Sequence, residues 1–171
     1  GCQNTDNIDI TVNALPVVAA GPDVTVCDGS NVTLFGSGAL TYTWNNGVSN
    51  AVAFYPSIGI STYTVTGTDV NGCQNTDNVD VTVNANPIIQ ANANSTSVCL
   101  GQSVTLFGSG GISYTWDNGV IDNVAFTPAV GAVTYTVTGI DANSCSNTDQ
   151  INITVYDLPS VVAGINQEVC D

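Results

Sequence analysis

Six cysteines stand at positions 2, 27, 73, 99, 145 and 170, and the phrases DVNG (69–72) and DANS (141–144) put oxygen-bearing side chains into two short segments. These are the residues whose types and spacing could do chemistry. Asp69 with Asn71, and Asp141 with Asn143, resemble the opening of a calcium loop, since Asp, Asn and backbone carbonyl oxygens suit that ion. No twelve-residue loop with a terminal Glu follows, and Asp and Asn also build tight turns without an ion. Calcium is therefore the one cofactor these turns suggest, and no metal site is expected as a necessity. Thiolate metal binding is the weaker reading of the cysteines, because no two are spaced CxxC and the chain has no His to join them. Cysteines recurring at fixed places in a Thr-, Asn-, Gly- and Val-rich chain instead predict structural disulfides and an oxidising compartment, extracellular or at a cell surface.

The charge balance removes whole classes of function. The chain has no Lys, Arg or His against fourteen Asp plus Glu, for a net charge of −14. With no His or Lys and with its thiols oxidised, it lacks the usual general bases and activated nucleophiles. GSG at 36–38 and 108–110 is not the GxSxG of a nucleophile elbow. Asp77 and Asp80 would make a carboxylate pair, yet they sit in a phrase that recurs, as a solvated strand would. No enzyme is expected. Nucleic acid and anionic membrane are recognised through Lys and Arg, so neither is an expected partner. No apolar run approaches the roughly 20 residues of a membrane helix. With no side-chain cations, carboxylate repulsion should dominate, so stability should hold or rise as pH falls toward about 4 to 5.

The elements that must carry these residues follow from an internal repeat. GCQNTDNIDITVNALP (1–16) returns as GCQNTDNVDVTVNANP (72–87), and VTLFGSGALTYTWNNGV (32–48) returns as VTLFGSGGISYTWDNGV (104–120). The period is 71 to 72 residues, about one small domain. The chain therefore reads as the last strand of a preceding repeat (1–14), two whole repeats (15–85 and 86–156), and the first strand of a following repeat (157–171).

Within a repeat, apolar and polar residues alternate as in strands with one buried face. In the first copy the predicted strands lie at about 17–26, 31–36, 40–45, 51–55, 61–69 and 74–83, with a short one at 47–50. Turn signals fall between them at GSG (36–38), NNG (45–47), PSIG (56–59) and VNG (70–72). Val32 and Leu34, Val52 and Phe54, and Val79, Val81 and Val83 are expected to face a common core. Its aromatic part is Tyr42, Trp44 and Tyr63, repeated as Tyr114, Trp116 and Tyr135. Six or seven short strands in about 70 residues describe a two-sheet antiparallel sandwich. The expected fold is all-β: tandem immunoglobulin-like β-sandwiches stacked end to end, their linkers NALP, NANP and YDLP stiffened by Pro.

VCDGSNVTLFGSG, the pair YTW and TYTVTGTDVNGC together resemble the immunoglobulin-like, PKD-like repeats of large secreted or surface proteins of Bacteroidota. The resemblance implies export by type IX secretion and a role in stalks, adhesins or gliding-related surface fibres. Those repeats commonly carry Lys and Arg, which this chain lacks.

For the cysteines, the strand assignment puts Cys27 in the turn after the first strand and Cys73 in the turn before the last. These turns lie at opposite poles of a sandwich roughly 30 Å long, whereas bridged Cα atoms lie within about 7 Å. Stacked repeats bring the first turn of one copy to the last turn of the next, so the favoured pair is Cys27–Cys145. Two alternatives stay open: Cys27–Cys73 with Cys99–Cys145, or Cys2–Cys27 with Cys73–Cys99 and Cys145–Cys170. The expected function is mechanical, a structural repeat region of an extracellular filament or cell-surface rod that spans distance and resists proteolysis. The alternative is an adhesin whose loops bind glycan or protein. Expected partners are neighbouring repeats and, because PVVAAG (16–21) and PIIQANANS (87–95) lack edge-protecting charges, parallel copies of the same chain.

Overall fold

The structure, a computed structural model, describes residues 1–164 and 168. It divides into two compact units, Gly1–Ala85 and Asn86–Asp171. Thirteen strands and no helix are found among the described residues.

In the first unit, β1 (Val24–Cys27), β6 (Gln74–Asn84), β5 (Gly59–Thr68) and β3 (Thr41–Trp44) form one sheet in the order β1-β6-β5-β3. Facing it, β2 (Val32–Thr33) pairs with β4 (Ala53–Phe54), and a single bridge joins Ala19 to Ser37. The second unit repeats the plan with β7 (Gln90–Ala93), β8 (Ser97–Cys99), β9 (Val104–Ser109), β10 (Ser113–Trp116), β11 (Ala125–Phe126), β12 (Gly131–Ile140) and β13 (Ser146–Tyr156). Its sheets run β10-β12-β13-β8 and β11-β9-β7. Each unit is an immunoglobulin-like β-sandwich.

The alternation read from the sequence is what fills the core. Val18, Ala20, Val32, Leu34, Trp44 and Tyr63 are buried together with Val65 and the Val79, Val81 and Val83 row of β6. Val65 and Val81 keep no exposed surface, and burying such a side chain is worth roughly 1.5–3 kcal/mol. Phe54 meets Tyr63 with ring centroids 5.1 Å apart, and Phe126 meets Tyr135 at 5.4 Å. Tyr42 and Tyr114 pack at the margin of their cores.

Four local expectations change. The first strand, expected unbroken over 17–26, divides at Gly21 (φ 86°) and Pro22. Ala19 stays with one sheet, and β1 crosses to the other to pair in parallel with β6. No strand forms at 47–50: Asn46 and Gly47 have φ of 55° and 72°, so the chain turns there, and the Val48 N–H bonds the Asn45 carbonyl. Val52 is 55% exposed, because Ala51 at φ 62° rotates the chain before β4 begins. Residues 1–14 form no strand and are exposed throughout. The same phrase builds β6 because ten residues of β5 are zipped against it, and a strand without a ladder partner gains nothing from extension.

Candidate functional site

The residues that recur between repeats are the natural place to look for a site, and each can be followed to what it touches. The phrase NTD at 75–77 lies on β6. Asn75 donates from Nδ2 to the Pro16 carbonyl at 3.0 Å, and the Ala20 N–H donates to Asp77 Oδ2 at 2.8 Å. Asn147 and Asp149 hold the Pro87 carbonyl and the Ala91 N–H at 3.0 and 2.8 Å. The first strand thus hangs from two side chains where it has left the backbone ladder. Bonds from the backbone N–H groups of Ala20 and Asn78 hold Asp77 below the usual carboxylate range, and those of Ala91 and Gln150 do the same for Asp149. Asp80 faces elsewhere, accepting the Thr62 hydroxyl at 2.6 Å. The repeated carboxylates of this phrase are therefore structural acceptors, which the alternating pattern did not disclose.

GSG and YTW belong to one cluster. A Cβ built on Gly36 would stand 2.5 Å from the ring of Tyr42, so the aromatic side chain lies flat where the side chain is missing. The Tyr42 hydroxyl donates to the Ala39 carbonyl at 2.6 Å and accepts the Ala39 N–H at 2.8 Å, closing the loop between β2 and β3. Asn50 Oδ1 accepts both Trp44 Nε1–H at 3.1 Å and the Gly36 N–H at 2.7 Å. In the second unit Gly108, Tyr114, Gly111, Trp116 and Asp122 make the same set of contacts, with Asp122 in place of Asn50.

The calcium candidates sit in the turns before β6 and β13. Asp69 Oδ1 accepts the N–H groups of Asn71 and Cys73, each at 2.8 Å, and Asp141 Oδ1 accepts those of Asn143 and Cys145, each at 2.9 Å. That is a side-chain-capped turn. Among the described residues no group of three or more His, Cys, Asp or Glu side chains converges as a metal would require.

Cys27 ends β1 and Cys145 directly precedes β13, and both are disulfide-bonded. Cys2, Cys73 and Cys99 carry free thiols, and Cys170 lies outside the described residues. The register separates the cysteines within a unit. Cys27 is opposite Asn84 at the far end of β6, whereas Cys73 directly precedes Gln74 at its start. Eleven residue steps at about 3.3 Å leave them roughly 35 Å apart, far beyond the reach of a bridge. Cys99 lies opposite Tyr156 and Cys145 precedes Ser146 in the same way. The Cys27–Cys73 and Cys99–Cys145 alternative is thereby excluded. Of the doubled-back alternative, the Cys2–Cys27 and Cys73–Cys99 links are absent, since Cys2, Cys73 and Cys99 are thiols, and Cys145–Cys170 falls on a residue outside the described ones.

One concavity stands out, a groove of about 450 Å³ in the second unit whose walls include Ile121, Val124, Phe126, Pro128 and Tyr135. Burial, with the Asp117 charge as a lesser cause, raises the Tyr135 phenol above its ordinary value. A protonated phenol among apolar walls offers neither a base nor a nucleophile at neutral pH.

The chain is thus defined as a pair of tandem immunoglobulin-like sandwiches. No family model matches the sequence, and no curated protein matches it. Solved structures do match. The fibronectin(III)-like modules of Clostridium thermocellum CbhA share 13% identity at a TM-score of 0.38, over 87% of this chain and 100% of that one. A three-domain immunoglobulin segment of titin shares 12% at 0.37, over 85% and 67%. The Bacteroides ovatus glucan-utilization protein SGBP-B, solved with a mixed-linkage heptasaccharide, shares 15% at 0.28, over 88% of this chain and 48% of its own. The present chain spans about half of that last protein. Scores this low decide nothing beyond the sandwich class that the strand pairing itself establishes.

Proposed function

We propose that these residues form a structural repeat region of an extracellular filament or cell-surface rod, built of tandem immunoglobulin-like domains. One observation carries the reading. The side chains that recur from repeat to repeat, Asn75 and Asp77, Tyr42 and Trp44, and Asp69, are each engaged in bonds inside their own unit. A recognition module repeats the groups that meet its ligand; here the repeated groups meet the backbone or, for Trp44, the Asn50 side chain of the same unit. The resemblance to exported Bacteroidota repeats, including a type IX route, and the disulfide-bonded state of Cys27 and Cys145, which suits an oxidising compartment, agree with this reading.

Cys27–Cys145, the pairing favoured from the strand assignment, is part of this proposal; Cys27 and Cys145 are both disulfide-bonded. In a chain with no side-chain cations to form salt bridges, covalent links are the stiffening element left to it. The absence of Lys and Arg withholds cleavage sites from trypsin-like proteases. Neighbouring repeats are the first partners, and parallel copies the second.

The adhesin reading has one observation in its favour. The groove is lined by Ile121 where the first repeat has Ser49, so this loop differs between copies. Imaging of the native assembly separates the two. A smooth filament with an axial rise near one domain supports the rod, and isolated flexible stalks contradict it.

A further inference from the structure

The loop between β10 and β11 differs from its counterpart in the first unit by added charge and an added apolar side chain. TWNNGVSNAVAF (43–54) becomes TWDNGVIDNVAF (115–126), so that Asn45 gives way to Asp117, Ser49 to Ile121 and Asn50 to Asp122. The fold does not need the two carboxylates. Asn45 Oδ1 accepts the Thr64 N–H at 2.9 Å as Asp117 Oδ1 accepts the Thr136 N–H at 3.0 Å. Asn50 serves Trp44 and Gly36 as Asp122 serves Trp116 and Gly108. The core does not need Ile121, which is 67% exposed. All three belong to the loop that bounds the groove of about 450 Å³: Ile121 and Val124 line it on either side of Asp122, and the Tyr135 phenol in its wall feels the Asp117 charge.

Three features of the groove indicate what fills it. Ile121, Val124 and Phe126 make it apolar, and its volume suits a few side chains. Ala125 and Phe126 in its wall are β11, the outer strand of the sheet β11-β9-β7, with no strand partner on the far side among the described residues. Such an edge accepts an added strand. The loop beside it is anionic, and the chain has no Lys or Arg to neutralise it. A second copy would bring more carboxylates and no cation. Sugar rings stack on exposed aromatic faces, whereas Phe126 and Tyr135 meet edge to face and Tyr135 is buried.

We propose that this groove binds an extended polypeptide segment of another protein that carries apolar side chains flanked by Lys or Arg. The segment adds to β11 as a strand, its apolar side chains enter the groove, and its cations are drawn to Asp117 and Asp122, a charge complementarity that selects the partner. The site goes beyond the structural reading above and does not rest on it, since one repeat of a rod can carry it.

The test titrates the peptide Lys-Val-Val-Val-Lys into the full chain at low salt by calorimetry, with Glu-Val-Val-Val-Glu and Lys-Ser-Ser-Ser-Lys as controls. The first should bind, and each control should bind at least about tenfold more weakly. Ile121→Ser should weaken binding by about tenfold. The double variant Asp117→Asn, Asp122→Asn should weaken it and flatten its salt dependence. All three substitutions restore residues that the first unit carries, and the melting temperature reports that each variant is folded. Failure of Lys-Val-Val-Val-Lys to bind overturns the proposal. So does equal binding of Lys-Ser-Ser-Ser-Lys, which would mean charge attraction alone, or unchanged binding to the Ile121→Ser variant, which would put the peptide elsewhere. Sedimentation of the chain alone gives the last check: self-association abolished by Ile121→Ser would make a second copy the occupant and overturn the proposal as well.

Discussion

The Asp77 carboxylate accepts the Ala20 N–H at 2.8 Å from 57 residues away, and it is what holds the first strand where the backbone ladder lets go. Asp149 and Ala91 repeat the relationship at 2.8 Å. In a chain without side-chain cations, these carboxylates have found the other partner open to them, the backbone amide. This alters the pH dependence expected from repulsion alone. Both groups are held below their ordinary value by amide bonds. A depressed folded pKa contributes stability that is present above the unfolded value near 3.9 and is lost as pH falls through the folded one. The melting temperature should therefore stay level from neutral pH to about 5 and fall below about 4. The double variant Asp77→Asn, Asp149→Asn keeps an acceptor but cannot titrate, so its acid loss should be smaller. A melting temperature that rises below pH 4 would restore repulsion as the dominant effect.

The fold class and the core were legible in the sequence because both rest on a two-residue alternation that backbone geometry reads directly. Trp44, Tyr63 and the Val79, Val81 and Val83 row sit where that period puts them. The clamps were not legible. Asn75 and Asp77 are in phase with Val79, Val81 and Val83 and so share the inward face of β6, but as polar residues they read as solvated, and nothing local tells that the partner is a strand some 57 to 59 residues earlier. Two signals were available: the verbatim return of NTD in each copy, which a merely solvated face has no reason to keep, and the phase that Asn75 and Asp77 share with the buried Val row. The missing strand at 47–50 and the broken first strand follow from positive-φ residues, Asn46 and Ala51 among them, whose conformation composition does not fix.

Gly36 should not tolerate a side chain. Its Cβ would lie 2.5 Å from Tyr42 Cδ1 and 3.0 Å from Val65 Cγ2, so Gly36→Ala should cost about 1–3 kcal/mol as overpacking. Tyr42→Phe relieves no clash but removes both bonds to Ala39, at about 1–2 kcal/mol. Denaturant unfolding of the single variants checks both, and a neutral Gly36→Ala would contradict the packing described.

Asn50 and Asp122 do the same work with different charge. Asn50→Ala should leave Trp44 Nε1–H and the Gly36 N–H without their acceptor and cost about 2–3 kcal/mol. Asn50→Asp should stay within about 1 kcal/mol of the parent, since an aspartate oxygen already serves Trp116 and Gly108. Equal losses in the two variants would show that the acceptor is not what matters there.

Trypsin should leave residues 1–171 uncut even after reduction and denaturation, since the chain has neither Lys nor Arg. A chymotrypsin-type protease should cleave the same denatured sample at its Phe, Tyr and Trp. Mass spectrometry of the two digests decides the matter, and tryptic ends inside this region would contradict it.

The proposed Cys27–Cys145 bond is tested most directly by stretching single molecules held by their two ends, with and without reductant. Cys27 and Cys145 are 118 residue steps apart, and a bond between them hides about 425 Å of extended chain at about 3.6 Å per residue. Reduction should release that length as a gain in final contour. No gain on reduction would show that no such bond bears load. A gain of about 330 Å, the length hidden by two within-repeat loops of 46 steps each, would contradict both the pairing and the register from which it was argued.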